Sequence, residues 1–400
     1  FKMFFLNRMK RILRKEKIMK RLAMYFLFIL LQCGIWSGIS AFWLIEISPL
    51  SFAFTALASI VCLFITTSWT LFINNRTLQG LAYILSFVVY EYWLDYNILT
   101  TPHITIGTWL AYYDPLTQYY QYTGIKGGTA WVLAVNLSLY FVLNKSEPLW
   151  KRVTASTSII ALPIIFSLII YYSTQPKRYN QTILLGNTSI DIYDPKLNSD
   201  PNELVEIMQR SITGLTIPEK IDLAVFPEGI SNQLGWVGDE QNSLQINLID
   251  KWRKKHNIHS LIFGGLMYKQ VQSLDIPMSA EKDGYYYTTH NVAVQLLDDK
   301  IVLQGKEGFV PFQESVPYNG VFDRFSELFK QIGYATKISK LEESKNHLGN
   351  FKTLVCFESI RPFLAEWLTD KDFLVIISSE SWSKRTAQKR QFDLMIKGVA

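Results

Sequence analysis

The stretch "LAMYFLFILLQCGIWSGISAFWLI" (22–45) decides the first half of the fold, because it is predominantly apolar and contains no charged residue. An α-helix rises about 1.5 Å per residue, so a helix of this length crosses the roughly 30 Å hydrocarbon core of a bilayer. The apolar core of a cleavable signal peptide is shorter, and more runs of the same kind follow. The stretch therefore predicts a membrane-spanning helix.

The other long apolar runs also lie in the first part of the chain. Apolar residues make up 49% of the sequence and charged residues only 18%, which is an unusual balance for a soluble protein. Long enough apolar runs occur at 22–45, 50–73, 79–98, 129–144 and 153–172. They predict about five spans and a transmembrane domain over 22–172.

The segment between the third and fourth runs has a different character. Residues 101–128 are rich in tyrosine and are interrupted by prolines and glycines. This pattern predicts an interfacial or re-entrant segment. Its tyrosines are compatible with an aromatic belt at the level of the lipid headgroups or with a role in lipid entry.

Positive charge is concentrated before the first apolar run. The formal net charge of the chain is +6, and the arm 1–21 carries more than the whole of that excess. A nucleic-acid partner is therefore excluded, and we expect a basic cytoplasmic arm. The loops 74–77 and 144–152 carry Lys or Arg, whereas 46–50 carries neither. Five spans then deliver residues 173–400 to the outer face of a bacterial cytoplasmic (inner) membrane.

The second half of the chain alternates strand-like and helical patterns. An amphipathic helix pattern covers 201–213. Strand-like apolar runs cover 182–186, 221–226, 259–265, 290–297, 353–357 and 372–378. This alternation predicts a layered α/β or α+β domain around a buried sheet, with active groups at the ends of strands.

Three predicted strand ends carry reactive side chains. Glu228 follows "IDLAVFP" (221–227), Lys306 follows "DKIVLQG" (299–305), and Cys356 follows "TLV" (353–355). Taken singly, each has an ordinary explanation: an acid at a helix start, a solvated loop charge and an inert thiol in the core.

In this order, however, the three motifs resemble a known constellation. "AVFPEG" (224–229), "GKEGFVPFQESVP" (305–317) and "VCFES" (355–359) look like the Glu-Lys-Cys triad motifs of the nitrilase, or carbon-nitrogen hydrolase, superfamily. The second motif resembles the membrane members of that superfamily, the apolipoprotein N-acyltransferases. The similarity extends to 91–96, 124–136, 263–265, 290–294 and 379–384. It implies a multi-span helical domain followed by a catalytic domain with the four-layer α-β-β-α nitrilase-like fold.

The sequence departs from the family pattern at several positions. Gly229 stands where Thr or Ser is common, Phe357 where Tyr is common, and 379–382 reads Ser-Glu-Ser-Trp in place of Asn-Asp-Ala-Trp. The family has further spans before the catalytic domain and a final strand and helix at its end. The resemblance therefore implies that the catalytic domain, 173–400, is incomplete at its C-terminus.

Acyl transfer chemistry explains why a thiol, a carboxylate and an ammonium would be needed together. A cysteine is mostly protonated near pH 7, so Glu228 would take the proton of Cys356. Negative charge then develops on the attacked carbonyl oxygen, where Lys306 and the N–H of Phe357 would stabilise it.

The resemblance also implies supporting residues around this triad. Glu314 and Glu358 match supporting carboxylates of the family, and Trp382 matches the tryptophan of its last motif. For Glu358 an alternative is open, namely an acid at the N-terminus of a helix over 361–368.

Cysteine and histidine usage argues against metal and cofactor chemistry. Cys33 and Cys62 lie in apolar runs, which leaves Cys356 as the one thiol of the second half. The histidines have no ligand spacing, and no nucleotide-binding motif occurs. We expect neither a cofactor nor a metal.

The resemblance implies a specific reaction and specific partners. An acyl chain would pass from a phospholipid to Cys356 as a thioester, and then to the N-terminal cysteine amine of a diacylated lipoprotein. The partners would be these two lipids and the membrane. Two alternatives are open: a membrane-tethered amidase that acts on small amides, and a catalytically silent nitrilase-like binding protein.

Overall fold

The computed structural model describes most of the chain. The described residues are 2–47, 49–97, 100, 105–143, 148–174, 180–188, 200–273, 279–282, 284–311, 314, 338–342, 351–361, 373–379, 389, 393, 395 and 396. They form two compact units, residues 1–174 and residues 175–400.

The first unit is helical. Its helices are α1 (Lys2–Ser40), α2 (Leu44–Ile47), α3 (Pro49–Ser68), α4 (Arg76–Tyr96), α5 (Tyr120–Leu143) and α6 (Leu149–Ser173), with 3-10 turns at 69–72, 106–112 and 114–116. The basic arm is the first half of α1, because it contains neither glycine nor proline to end a helix. Helices α1, α3 and α4 pack through a core that includes Ile29, Leu63 and Leu94.

Four helices in the described residues are long and apolar enough to cross a membrane. They are Glu16–Ser40, Phe52–Phe72, Tyr120–Leu143 and Leu149–Ser173. The predicted third span, 79–98, corresponds to α4, which has the length but carries Glu91 and Asp95 in its last turns. Four of the five predicted spans therefore coincide with helices that are long and apolar enough to cross a membrane, and the number of spans and the orientation stay predictions.

Helix α5 begins earlier than the sequence predicts. The prediction placed its start at 129, because the prolines and glycines of 101–128 favoured an interfacial or re-entrant segment there. In the structure, Lys126 Nζ lies 2.9 Å from Asp95 of α4, and both side chains are buried. Because the ammonium is paired, burying Lys126 costs less free energy than burying an unpaired charge. A break at Gly124 (φ 61°) divides α5 close to its first residues.

In its described residues, the second unit contains eight strands and two helices. They are β1 (Ile183–Leu185), α7 (Pro201–Ile212), β2 (Ile221–Val225), α8 (Leu244–Lys255), β3 (Ile258–Val271), β4 (Ala280–Lys282), β5 (Tyr285–Leu297), β6 (Lys300–Gly305), β7 (Phe351–Val355) and β8 (Phe373–Ile377). A six-stranded mixed sheet has the order β1-β2-β3-β5-β4, and β6 also pairs with β5. Strands β7 and β8 form a separate parallel pair.

Alternating side chains give the six-stranded sheet two buried faces. One face packs on α7 and α8 through residues such as Phe263, Val294 and Ile249. The other packs on β7 and β8 through residues such as Ile262 and Val355. A helical layer, a sheet and a second sheet therefore follow one another. The described residues do not establish a fourth layer, so the four-layer nitrilase-like fold is not confirmed.

The register of the sheet brings the ends of β2 and β6 close to Asn291 in the middle of β5. Val225 of β2 is paired with Ile262 of β3, Leu266 of β3 with Asn291 of β5, and Val292 of β5 with Gly305 of β6. The residues that follow β2 and β6 consequently approach Asn291 from its two sides.

Candidate active site

Cys356 lies at the point where β7 ends. Its backbone has φ 50°, in the left-handed region that non-glycine residues rarely adopt, and it opens a 3-10 turn over Cys356–Ile360. Such a conformation costs about 1–3 kcal/mol and is typical of functional positions, where the surrounding structure enforces it. The residue is buried.

Glu228 reaches the same place from the end of β2. Its Oε2 accepts a hydrogen bond from Asn291 Nδ2 at 3.2 Å, and its Oε1 accepts one from the N–H of Ser379 at 3.3 Å. A Cβ atom at Gly264 would lie 2.7 Å from Glu228 Cα, so only glycine in β3 permits this close approach of the chain. Asn291 of β5 and the N–H of Ser379, just beyond β8, thus hold the carboxylate.

Lys306 follows the last residue of β6 and is completely buried. Its N–H donates to Asn291 O at 2.8 Å, and its Nζ donates to Glu314 Oε1 at 2.6 Å. Burial opposes the charged form, but the charges of Glu314, Cys356 and Glu228 outweigh it and raise the pKa of the Lys306 ammonium. The site therefore holds a permanent cation.

The thiol of Cys356 lies among these charges. Burial and the charge of Glu228 raise its pKa well above the usual value, while Lys306 acts in the opposite direction. The Glu228 carboxylate is therefore close enough to the thiol to act on its proton affinity. At neutral pH the site therefore holds a protonated thiol next to a group that can accept its proton.

Glu314 holds Lys306 and its own loop at the same time. One carboxylate oxygen accepts from Lys306, and the other accepts from the N–H of Val310 at 2.8 Å. The ammonium consequently has a fixed position.

Glu358 ties two loops of the site together. Its Oε1 accepts hydrogen bonds from the N–H groups of Glu307 and Gly308, and its Oε2 accepts one from the N–H of Val355 at 2.8 Å. Burial raises the pKa of this carboxyl, and the three backbone donors oppose that shift. Since residues 362–370 are not described, the alternative role at a helix start is not tested. The contacts make Glu358 a link between the Lys306 loop and the Cys356 turn.

The two remaining residues of the sequence prediction differ in what the structure says of them. Phe357 is buried, and the guanidinium of Arg361 lies 4.9 Å from the centre of its ring. Trp382 lies outside the described residues. The structure brings Glu228, Lys306, Cys356, Glu314, Glu358 and Phe357 together, and their roles in a reaction stay predictions.

Sequence reasoning missed the part that Asn291 plays. Its side-chain amide donates to Glu228, and its backbone carbonyl accepts from the N–H of Lys306. Asn291 therefore connects the two charged residues of the candidate triad. The stretch 290–294 carried a signal, as a part of the family resemblance, but its role depends on strand register. The described residues contain no group of three metal-ligating side chains.

Comparisons with known proteins agree with the sequence resemblance. Residues 11–138 match the family model of the apolipoprotein N-acyltransferase N-terminal domain. Over 359 residues the chain is 23% identical to the apolipoprotein N-acyltransferase of Rickettsia typhi, an alignment that covers 88% of this chain and 67% of that relative. The Rickettsia prowazekii protein of the same name is also 23% identical, with the same coverage. The predicted similarity of this chain to apolipoprotein N-acyltransferases is thereby confirmed.

Proposed function

We propose that this protein transfers an acyl chain from a phospholipid to the amine of an N-terminal cysteine on a diacylated lipoprotein. The observation that carries the proposal is that Glu228 and Lys306 meet at Asn291, which bonds both of them, and that the charges of both act on the buried Cys356 thiol. The names of the similar proteins support the same reaction class.

In the first half-reaction, Glu228 takes the thiol proton as the sulfur of Cys356 attacks the ester carbonyl carbon of the phospholipid. The negative charge that develops on the carbonyl oxygen is stabilised by Lys306 and by the N–H of Phe357. When the intermediate collapses, the carbon–oxygen ester bond breaks. Glu228 returns its proton to the leaving alkoxide, which departs as a lysophospholipid.

In the second half-reaction, the lipoprotein amine attacks the thioester carbonyl. Glu228 takes a proton from the amine nitrogen, an amide bond forms, and the carbon–sulfur bond breaks. The sulfur of Cys356 recovers its proton from Glu228, so the protein returns to its starting state and no oxidant, reductant or cofactor is consumed.

The resting protonation state supports this division of labour. Since burial and Glu228 keep the pKa of the Cys356 thiol high, the thiolate forms only when a substrate carbonyl is present to take up the charge.

The four membrane-capable helices support lipid substrates. The ester carbonyl of a phospholipid lies at the headgroup level of a bilayer, and a soluble unit reaches it efficiently only when it is tethered there. We place the protein in a bacterial inner membrane. With α4 taken as a fifth span, the basic arm and the cationic loops 74–77 and 144–152 lie inside, and residues 173–400 lie on the outer face.

The test is a stoichiometry measurement on purified protein in detergent. Given labelled phosphatidylethanolamine and a diacylated lipopeptide, the protein should produce lysophospholipid and triacylated peptide in equal amounts, with little free fatty acid. The Cys356→Ala variant is the control and should produce neither. Ammonia release from small amides with an untouched lipopeptide would contradict the proposal and favour an amidase.

A further inference from the structure

Three aromatic rings form a cluster at the far end of the β3–β5 pair. The rings of Tyr268 and Tyr287 are 5.3 Å apart, and Trp236 lies 6.0 Å from the first and 6.3 Å from the second. We call these three residues the aromatic cluster. Trp236 is 41% exposed, and Tyr285 at the beginning of β5 is 56% exposed.

The aromatic cluster lies on the same face of the sheet as the candidate active site. Side chains of a strand alternate between its faces, so Tyr287 shares a face with Asn291, whose amide bonds Glu228. Four residues separate them, which is about 13 Å along the strand. A lipid molecule is long enough to contact the cluster while its ester carbonyl lies near Cys356.

The cluster is also built on the chain segment that carries Glu228. Residues 228–238 run beside β3, where the N–H of Tyr268 donates to Gly235 O at 3.0 Å and the N–H of Val237 donates to Tyr268 O at 2.8 Å. The Tyr268 hydroxyl donates to Asn232 O at 2.9 Å. Trp236 and the candidate base Glu228 thus belong to one chain segment that is fixed along β3.

The chemistry of the surface favours one kind of partner. Tryptophan and tyrosine have an apolar body and a polar tip, and they concentrate at the headgroup level of bilayers. The charges next to Trp236 on its own chain segment are Asp239 and Glu240, which disfavour an anionic surface. The aromatic cluster therefore fits the glycerol and headgroup region of an uncharged or zwitterionic phospholipid.

We propose that Trp236, Tyr268 and Tyr287 form a binding surface for the interfacial region of a zwitterionic phospholipid, beside the candidate catalytic centre. This inference rests on the proposed function for its meaning, since it names the surface that would bring the acyl donor to Cys356. Binding at the aromatic cluster would not require contact with the charged groups of the lipid headgroup.

Photocrosslinking of the full chain in phosphatidylethanolamine nanodiscs tests the contact without any need for activity. With p-benzoylphenylalanine in place of Trp236, irradiation should attach phospholipid to the protein. Leu244, which is 60% exposed at the start of α8, provides the matched control position and should give little lipid adduct. Equal adducts at the two positions, or adducts at position 236 only with the lipopeptide or a second copy of the chain, would overturn the proposal.

Kinetics then separate lipid binding from folding. Trp236→Ala should raise the KM for phospholipid about tenfold, as truncation of an aromatic anchor does, while Trp236→Phe should restore most of it. In Trp236→Ala, acylation of Cys356 by a soluble short-chain thioester should fall much less than acylation by phospholipid. An unchanged KM, or equal loss with both acyl donors, would contradict a lipid-binding role. If the protein with p-benzoylphenylalanine at position 236 crosslinks lipid but the wild-type protein transfers no acyl chain, the proposed function fails and the binding surface stands.

Discussion

Replacement of Lys306 by methionine is the most informative change in the site, because it removes the cation and keeps the length of the side chain. In the structure the Lys306 side chain is fully buried, with Nζ 2.6 Å from Glu314 Oε1. We expect two separate losses, one in stability and one in the rate of thioester formation.

The stability loss arises because Lys306→Met leaves the carboxylate of Glu314 without its ion-pair partner. Removal of one member of a buried ion pair costs about 3–5 kcal/mol, because the partner keeps its charge without compensation. The double variant Lys306→Met/Glu314→Gln has no such charge and should recover most of that loss. Thermal unfolding of both variants measures the difference.

The rate loss follows from the oxyanion. A single charged donor aimed at the developing oxyanion contributes about 10²–10³ in rate, so thioester formation from labelled phospholipid should fall by at least that factor. The pKa of the Cys356 thiol should also rise further, since Lys306 lowers it in the native protein. The double variant should stay inactive although it is stable.

Lys340 offers a matched control in the same unit. Its Nζ lies 3.1 Å from Glu307, but its side chain is 59% exposed, so Lys340→Met should change stability by less than about 1 kcal/mol and leave the rate intact. A folded Lys306→Met protein that forms the thioester at the native rate would refute the oxyanion role. Recovered activity in the double variant would show that Lys306 serves only to neutralise Glu314.

Two further substitutions test the surroundings of the thiol, and one labelling experiment tests on which side of the membrane it lies. Glu228→Gln removes a charge that raises the pKa of Cys356, so the midpoint of the pH profile for alkylation of that thiol should fall, while acylation by phospholipid should slow by about 10²–10⁴; a midpoint that stays or rises contradicts the contact. Asn291→Asp places a second carboxylate against Glu228, so the base should ionise only at higher pH and the pH–rate profile should shift upward; an unshifted profile speaks against the role of Asn291. A membrane-impermeant thiol reagent should modify Cys356 in intact spheroplasts and not in Cys356→Ala cells, whereas modification only after lysis would reverse the proposed orientation.

Much of the fold follows from local pattern. The apolar strand-like runs that the sequence predicts coincide with β1, β2, β3, β5, β7 and β8. Such runs are short, apolar and bounded by polar or turn residues, so their strand character does not depend on distant contacts. The extension of β3 and β5 to Val271 and back to Tyr285 was missed, because those extensions are polar and aromatic and are held by pairing with each other.

Charges in the helical unit show where local reasoning ends. The burial of Lys126 could not be predicted from its neighbours in the sequence, because its ion-pair partner Asp95 lies on another helix. The same reasoning applies to α4, whose last turns carry the buried acids Glu91 and Asp95. There, Glu91 accepts a hydrogen bond from the N–H of Ile106 at 2.9 Å.

The candidate site divides in the same way. Glu228, Lys306 and Cys356 could be chosen from the sequence, because each follows a strand and together they match a known order of motifs. Asn291 could not, since its contribution is a consequence of the register between β3, β5 and β6. The three backbone contacts of Glu358 likewise depend on how two loops meet, which no spacing in the sequence specifies.

The central claim is that Cys356 carries the acyl chain between donor and acceptor, and a pulse-chase measurement tests it most directly. Protein incubated with labelled phosphatidylethanolamine alone should gain the mass of one acyl chain, located on the peptide that contains Cys356 and released by neutral hydroxylamine. Addition of a diacylated lipopeptide should then remove the label from the protein and transfer all of it to the lipopeptide amine. Triacylated peptide formed without any acylated Cys356, or at an undiminished rate in Cys356→Ala, would contradict the account.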